Sequence, residues 1–235
     1  MARGTTLRQL ISDLRDELRR ANSPAASPDD TASLRATINH VIAVLYAAND
    51  WPFLQCVYPK IRLNAGQRYY DMPDGMNPDR VLKAIVYWSG DPHPIERGVD
   101  FSDYAGYDPE DNERTSPICK WDVRFTGERD QIEVWPLPDD TEQYLRFEGI
   151  QKVKRLVADD DICPLDDTLI VLYAAAELAP PNSADKDAKQ ALARELLRQL
   201  KVRSVSGGEK RYQMGLGTSS KETNLRARST VRIGR

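Results

Sequence analysis

Residues 118–149 read Ile-Cys-Lys-Trp-Asp-Val-Arg-Phe-Thr-Gly-Glu-Arg-Asp-Gln-Ile-Glu-Val-Trp-Pro-Leu-Pro-Asp-Asp-Thr-Glu-Gln-Tyr-Leu-Arg-Phe-Glu-Gly. Ile118–Phe125, Gln131–Trp135 and Tyr144–Gly149 are short and rich in β-branched and aromatic residues, which predicts strands. Thr126-Gly127-Glu128-Arg129-Asp130 supplies the turn chemistry of a hairpin between the first two. Upstream, Cys56–Leu63, Arg68–Asp71 and Val81–Trp88 have the same character, and Asn64-Ala65-Gly66-Gln67 reads as a second hairpin connection. Strands joined that tightly pair antiparallel, because parallel neighbours need long crossovers. Residues 89–117 are dense in Asp, Pro and Gly and read as one long loop, of a length that is usually functional or poorly ordered.

On both sides of this region the apolar period changes from two to between three and four. Leu7, Leu10, Ile11, Leu14 and Leu18 predict an amphipathic helix over residues 6–20, with Thr5 or Thr6 as its N-cap. Asn22-Ser23-Pro24-Ala25-Ala26-Ser27-Pro28 stops it. Asp29 and Asp30 then sit where a new helix offers free amides, and Leu34, Ile38, Val41, Ile42 and Leu45 form its stripe. That helix ends before Trp51-Pro52, since proline disfavours helix in the preceding residue. Leu165, Leu169, Ile170, Leu172, Tyr173, Ala176 and Leu178 mark a third helix, broken by Pro180-Pro181-Asn182-Ser183. Ala184 to about Ser204 makes a fourth, with Ala188, Ala191, Leu192, Leu196, Leu197 and Leu200 as its stripe. The expected fold is therefore α+β, a bundle of about four helices with an inserted antiparallel sheet. Its parts are an N-terminal helical hairpin (1–54), a β domain (55–157) carrying the 89–117 loop, a C-terminal helical hairpin (158–204) and an extended arm (205–235).

The chain has 235 residues, of which 40% are hydrophobic and 29% charged, enough apolar material for a core and too polar for a membrane protein. No apolar run approaches the roughly 18–20 residues of a spanning helix, and the first residues hold no signal-peptide core, so neither membrane insertion nor secretion is expected. Cys56, Cys119 and Cys163 are isolated and odd in number, which points to reduced thiols. The net charge of −3 conceals an asymmetry. Lys210, Arg211, Lys221, Arg226, Arg228, Arg232 and Arg235 face only Glu209 and Glu222 in residues 205–235, leaving that arm at +5 and the preceding 204 residues at −8. A basic tail on an acidic body is an interaction tail by composition, opened here by Ser206-Gly207-Gly208.

Catalytic patterns are weak. Ser206-Gly207-Gly208-Glu209-Lys210-Arg211 lacks the spacing and strand-to-helix context of a phosphate loop. His40 and His93 are the only histidines; His40 belongs to a helix and His93 to the stiff turn Asp91-Pro92-His93-Pro94. Neither has a partner at zinc-ligand spacing, and no Gly-x-Ser-x-Gly elbow is present. Asp159-Asp160-Asp161 and Asp166-Asp167 lack the alternation and the glycine of a calcium loop, and the last two read as the start of the third helix. Tyr69, Tyr70, Tyr87, Trp88, Trp121 and Trp135 read as core or subunit-interface aromatics rather than a nucleic-acid stacking platform, because the body around them is acidic. No metal, cofactor or catalytic residue is expected. The alternatives are a nucleic-acid-binding protein using the basic arm and a carboxylate-dependent hydrolase, since two acids about 5–10 Å apart suffice for glycosidase chemistry.

Four stretches carry a resemblance: Asn49-Asp50-Trp51-Pro52-Phe53-Leu54, Tyr69-Tyr70-Asp71-Met72-Pro73-Asp74-Gly75, Ile132-Glu133-Val134-Trp135-Pro136-Leu137-Pro138-Asp139, and Leu165-Asp166-Asp167 opening an alanine-rich helix. In order and spacing the chain resembles, over residues 5–200, the head-to-tail adaptors of tailed bacteriophages, in particular tail tubular or head-completion proteins of short-tailed phages. The resemblance implies a structural virion protein, not an enzyme. It implies a homo-oligomeric, dodecameric ring under the portal protein that extends the DNA ejection channel and docks the next tail protein, a nozzle or tail tube. Genomic DNA would pass the lumen without sequence-specific binding, and no membrane would be involved. The location would be the neck or tail of the virion, after assembly in the host cytoplasm. The arm matches no family motif; its charge and position make Lys210, Arg211, Lys221, Arg226, Arg228, Arg232 and Arg235 the expected portal contacts.

Overall fold

The computed structural model describes residues 3–18, 28–107, 113–181 and 183–205. The chain is α+β, with five helices and eleven strands among the described residues. It opens with β1 (Thr5–Thr6), α1 (Leu7–Glu17) and α2 (Pro28–Ala48), then a 3-10 turn at Pro52–Leu54. Strands β2 (Gln55–Val57), β3 (Ile61–Arg62), β4 (Tyr69–Asp71), β5 (Met76–Trp88), β6 (Asp91–Pro94) and β7 (Glu96–Arg97) lead to the short α3 (Phe101–Gly106). β8 (Lys120–Phe125), β9 (Asp130–Trp135), β10 (Tyr144–Gln151) and β11 (Ile162–Cys163) precede α4 (Asp167–Leu178) and α5 (Ala184–Val205).

The helices form where the period predicted them. Thr6 caps α1 by accepting from the Gln9 amide at 3.3 Å, and Leu7, Leu10, Ile11 and Leu14 are buried. The first-turn amides of Leu7 and Arg8 donate to the carbonyls of Asp161 and Asp159, so the turn leading into β11 satisfies donors that a helix start leaves free. Asp166 caps α4 through the Leu169 amide at 3.0 Å. α4 packs against α1, α2 and α5, and its alanines, Ala174, Ala175 and Ala176, are buried at these contacts. α5 keeps the second half of its expected stripe, with Leu196, Leu197 and Leu200 packed against the helical core, and departs from the first half. Ala188 and Ala191 are exposed and Leu192 is 60% exposed, whereas Ala193 and Lys189 are buried. The physical reason is Lys189, whose ammonium donates to the Glu17 carbonyl at 3.2 Å and lies 2.5 Å from its carboxylate. A cation at the C-terminal end of α1 meets its free carbonyls, and together with the inward packing of Ala193, Leu196, Leu197 and Leu200 it holds that face of α5 against the helices.

The strands exist, but they divide into two larger sheets and the two-stranded β1–β11 ribbon. One larger sheet has the order β2-β10-β5-β6, with β3 also paired to β10; the other has the order β4-β9-β8-β7. The hairpin at 126–130 forms, joining β8 to β9. The one expected at Asn64–Gln67 does not, because β3 pairs with β10 and β4 with β9. That turn carries the chain from one sheet to the other instead. β7 and β8 pair in parallel, an exception to the expected antiparallel rule. The 89–117 stretch is not one loop: it contributes β6, β7 and α3. Ser89 (φ 51°) and Gly90 (φ 91°) make the two-residue turn between β5 and β6, and Pro92 and Pro94 are tolerated because β6 is an edge strand. His93 consequently sits in a strand, not a turn.

Two cores result. One lies among the helices, from Leu7 to Ala175, and also takes in Trp51, Leu54, Ile150 and Leu156. The other holds Leu63, Val86, Ile118, Ile132, Val134, Leu145 and Phe147 from both larger sheets, with Trp121 edge-on to Phe147 at 4.8 Å. Arg80 of β5 ties the sheet region to the helices. Its guanidinium donates to the carbonyls of Ala47 and Asn49 at 2.7 and 2.8 Å, at the C-terminal end of α2, and lies 4.5 Å from the Tyr46 ring centroid. Asn77 donates to the Tyr46 hydroxyl at 2.8 Å beside it. Asn39 clasps the other connection, exchanging two hydrogen bonds with the backbone of Leu156.

Candidate assembly surfaces

The seven basic residues expected to carry function, Lys210, Arg211, Lys221, Arg226, Arg228, Arg232 and Arg235, lie outside the described residues. The chemistry of the described part concentrates at three places.

The first is a carboxylate inside the second sheet. Period two on β9 sends Ile132 and Val134 into the core between the sheets, so Glu133 and Trp135 point to the opposite face. Glu133 is fully buried there. It accepts from Arg68 Nε and Arg124 Nε, both at 2.7 Å, and from the Tyr104 hydroxyl at 2.8 Å. Tyr104 belongs to α3, and its ring meets Trp135 edge-on at 4.8 Å. Arg68 stacks 4.6 Å from the Tyr104 ring centroid. Burial, and next the bond to Glu133, push the Tyr104 phenol up; the ion pair with Glu133 raises both guanidinium groups against the opposing effect of burial. Both oxygens of Glu133 are engaged and covered, so this carboxylate pins α3 to the sheet rather than facing a substrate. Sequence reading missed it; the available signal was a charged residue between two core valine- and isoleucine-type positions on one strand.

The second place is the acid-rich connection into α4. Asp159 lies 3.4 Å from Arg35 and 3.6 Å from Arg8. Asp161 accepts from the Val157 and Ala158 amides at 2.6 and 2.7 Å, which hold its carboxyl below the ordinary range. Asp167 accepts from the Thr5 hydroxyl at 3.3 Å. These acids hold turns and helix starts together. Among the described residues no group of three or more His, Cys, Asp and Glu side chains is arranged to hold a metal ion. His40 is exposed, 3.9 Å from Glu177. Of the six aromatics, Tyr70, Trp121 and Trp135 are buried while Tyr69, Tyr87 and Trp88 are half-buried.

The third is a cleft of about 490 Å³ between α2 and the extended chain after β10. Ala36, Ile42, Ala43 and Val153 give it apolar walls, and Lys152, Lys154 and Arg155 stand exposed at its rim. A second cleft of about 410 Å³ opens on the other side of His40, between α2, α4 and α5. Large apolar side chains also stand in solvent, Phe101 at 86% and Phe125 at 69% exposure among them.

Apolar clefts and solvent-facing phenylalanines are features of a body that meets other proteins. The family model "SU10 adaptor protein" matches residues 5–218. The chain belongs to that family, and it is a phage head-to-tail adaptor, a structural protein of the virion neck. No curated protein matches it. No helix among the described residues is long and apolar enough to cross a membrane.

Proposed function

We propose that this adaptor assembles as a ring, dodecameric in the virion, beneath the portal protein of a short-tailed phage. Its lumen extends the DNA channel, and its far face docks the next tail protein, a nozzle or tail tube. Assembly takes place in the host cytoplasm, and DNA traverses the ring without sequence-specific binding. α1, α2, α4 and α5 act in this reading as one four-helix bundle, and the arm from residue 205 onward clamps the bundle to the portal. The observation that carries the reading is the adaptor family match, which spans residues 5–218. Charge supports it: the acidic body disfavours retention of duplex phosphate, while the +5 arm suits an acidic protein surface. A ring needs unlike faces that meet head to tail, and the exposed helical and sheet surfaces here are unlike.

Truncation after Ser204 tests the clamp. Portal particles should retain full-length adaptor and lose the truncated chain; undiminished retention overturns the role of the arm. Mass measurement should find the protein monomeric alone and ring-forming only with portal. A duplex-DNA binder would instead bind without portal and lose affinity steeply with salt.

A further inference from the structure

The cleft beside α2 is built unlike the surface around it. Residues 1–204 carry a net charge of −8, yet Lys152, Lys154 and Arg155 crowd one rim and make no ion pair among the described residues. Behind them the walls are apolar, formed by Ala36, Ile42, Ala43 and Val153. The chain at 152–155 is neither helix nor strand, and the amides of residues 153, 154 and 155 find no backbone acceptor among the described residues. Such a site takes an apolar group flanked by carboxylates.

The β8–β9 hairpin is that object. Trp121, Val123 and Phe125 lie on one face of β8; Trp121 and Val123 join the core between the sheets, and Phe125 runs out beyond it, 69% exposed. Glu128 and Asp130 flank it and make no side-chain ion pair among the described residues. The hairpin is held before any partner arrives: the Thr126 amide and hydroxyl both bond the Arg129 carbonyl, at 3.1 and 3.2 Å, and Arg129 reaches Asp71 at 3.1 Å. A preformed, apolar-tipped loop loses little freedom on docking. Because Phe125 stands in solvent in its own chain, the cleft it would fill belongs to another.

We propose that Phe125, Glu128 and Asp130 of one copy dock into the cleft rimmed by Lys152, Lys154 and Arg155 of the next. This head-to-tail contact rests on the reading that copies assemble beside one another, and it names the surfaces that do so. Duplex DNA is a poorer occupant, since the cleft walls are apolar and the surrounding body repels phosphate.

Charge reversal in two separate chains tests the contact. One variant carries Lys152→Glu, Lys154→Glu and Arg155→Glu; the other carries Glu128→Lys and Asp130→Lys. All of these side chains are exposed, and far-ultraviolet circular dichroism with thermal melting verifies that each variant is folded. Adaptor copies retained per portal particle should fall on the order of tenfold for either variant alone, because like charges then face each other. An equimolar mixture should recover assembly, since every contact in an alternating ring regains opposite charges; a chain bearing all five substitutions should recover it too. Retention of either variant at the wild-type level, or a mixture no better than its components, overturns the proposal. Carbodiimide treatment of wild-type protein with portal should join Glu128 or Asp130 of one chain to Lys152 or Lys154 of another. Absence of that cross-link also overturns it. If the cross-link forms without rings, the contact stands and the ring reading fails. Loss of DNA retention without loss of copy-to-copy contact in the cleft variant would make the rim a phosphate site and overturn the proposal.

Discussion

Glu133 shows how one residue can fix a long excursion of chain. A buried carboxylate is tolerable only when charge and hydrogen bonds compensate its lost hydration, and Arg68, Arg124 and Tyr104 supply both. Removing it leaves two guanidinium groups facing each other in a site built for an anion. Glu133→Ala should therefore destabilise the protein by about 1.5–3 kcal/mol in urea unfolding, the two partly exposed guanidinium groups regaining some hydration, and more than truncation of an exposed acid such as Glu128. Cys163 offers a second test. Burial pushes its thiol up to about 11 from 9.0, so the folded chain keeps a proton that the unfolded chain releases. The stability this confers is fully present below pH 9 and is lost as pH rises from 9 to 11, roughly 2–3 kcal/mol in all. Cys163→Ala should flatten that part of the pH–stability curve. In the native protein a thiol reagent should reach exposed Cys119 well before Cys163.

At the scale of elements, the joint between α2 and β5 decides how the helices and sheets sit together. The last carbonyls of α2 have no partner within the helix, and Arg80 supplies donors to Ala47 and Asn49 from a strand. Close approach of β10 is part of the same joint: a Cβ on Gly149 would lie 2.9 Å from the Arg80 carbonyl oxygen, where β10 shifts register against β5. Arg80→Ala should cost about 1.5–3 kcal/mol, the range for hydrogen bonds to a charged group, measured by denaturant unfolding. Asp166→Ala, which removes only the cap of α4, should cost about 1 kcal/mol.

At the scale of the whole molecule, Arg80, Asn77 and Asn39 each cross between the helical core and the sheets or the chain leaving them. Loss of either core exposes these bonds, so calorimetry should show one cooperative unfolding transition, and two resolved transitions would contradict the coupling. What was legible beforehand follows from locality. Apolar period, Thr6 and Asp166 as caps, and the Thr126–Asp130 turn are encoded within a few residues, so the four long helices and the β8–β9 hairpin could be read directly. The adaptor resemblance was likewise legible, being a matter of ordered sequence stretches, and the family match bears it out. Strand partnership was not, because Asn64–Gln67 has turn chemistry whether the flanking strands pair with each other or with distant ones; competition from β10 and β9 settled the matter. The same holds for the buried partners of Glu133, for Lys189 meeting the end of α1, and for the cleft beside α2. Local sequence determined which segments are helix or strand, whereas packing between residues distant along the chain decided their neighbours, since only in the folded body do charges and cavities far apart in sequence come within a few ångströms.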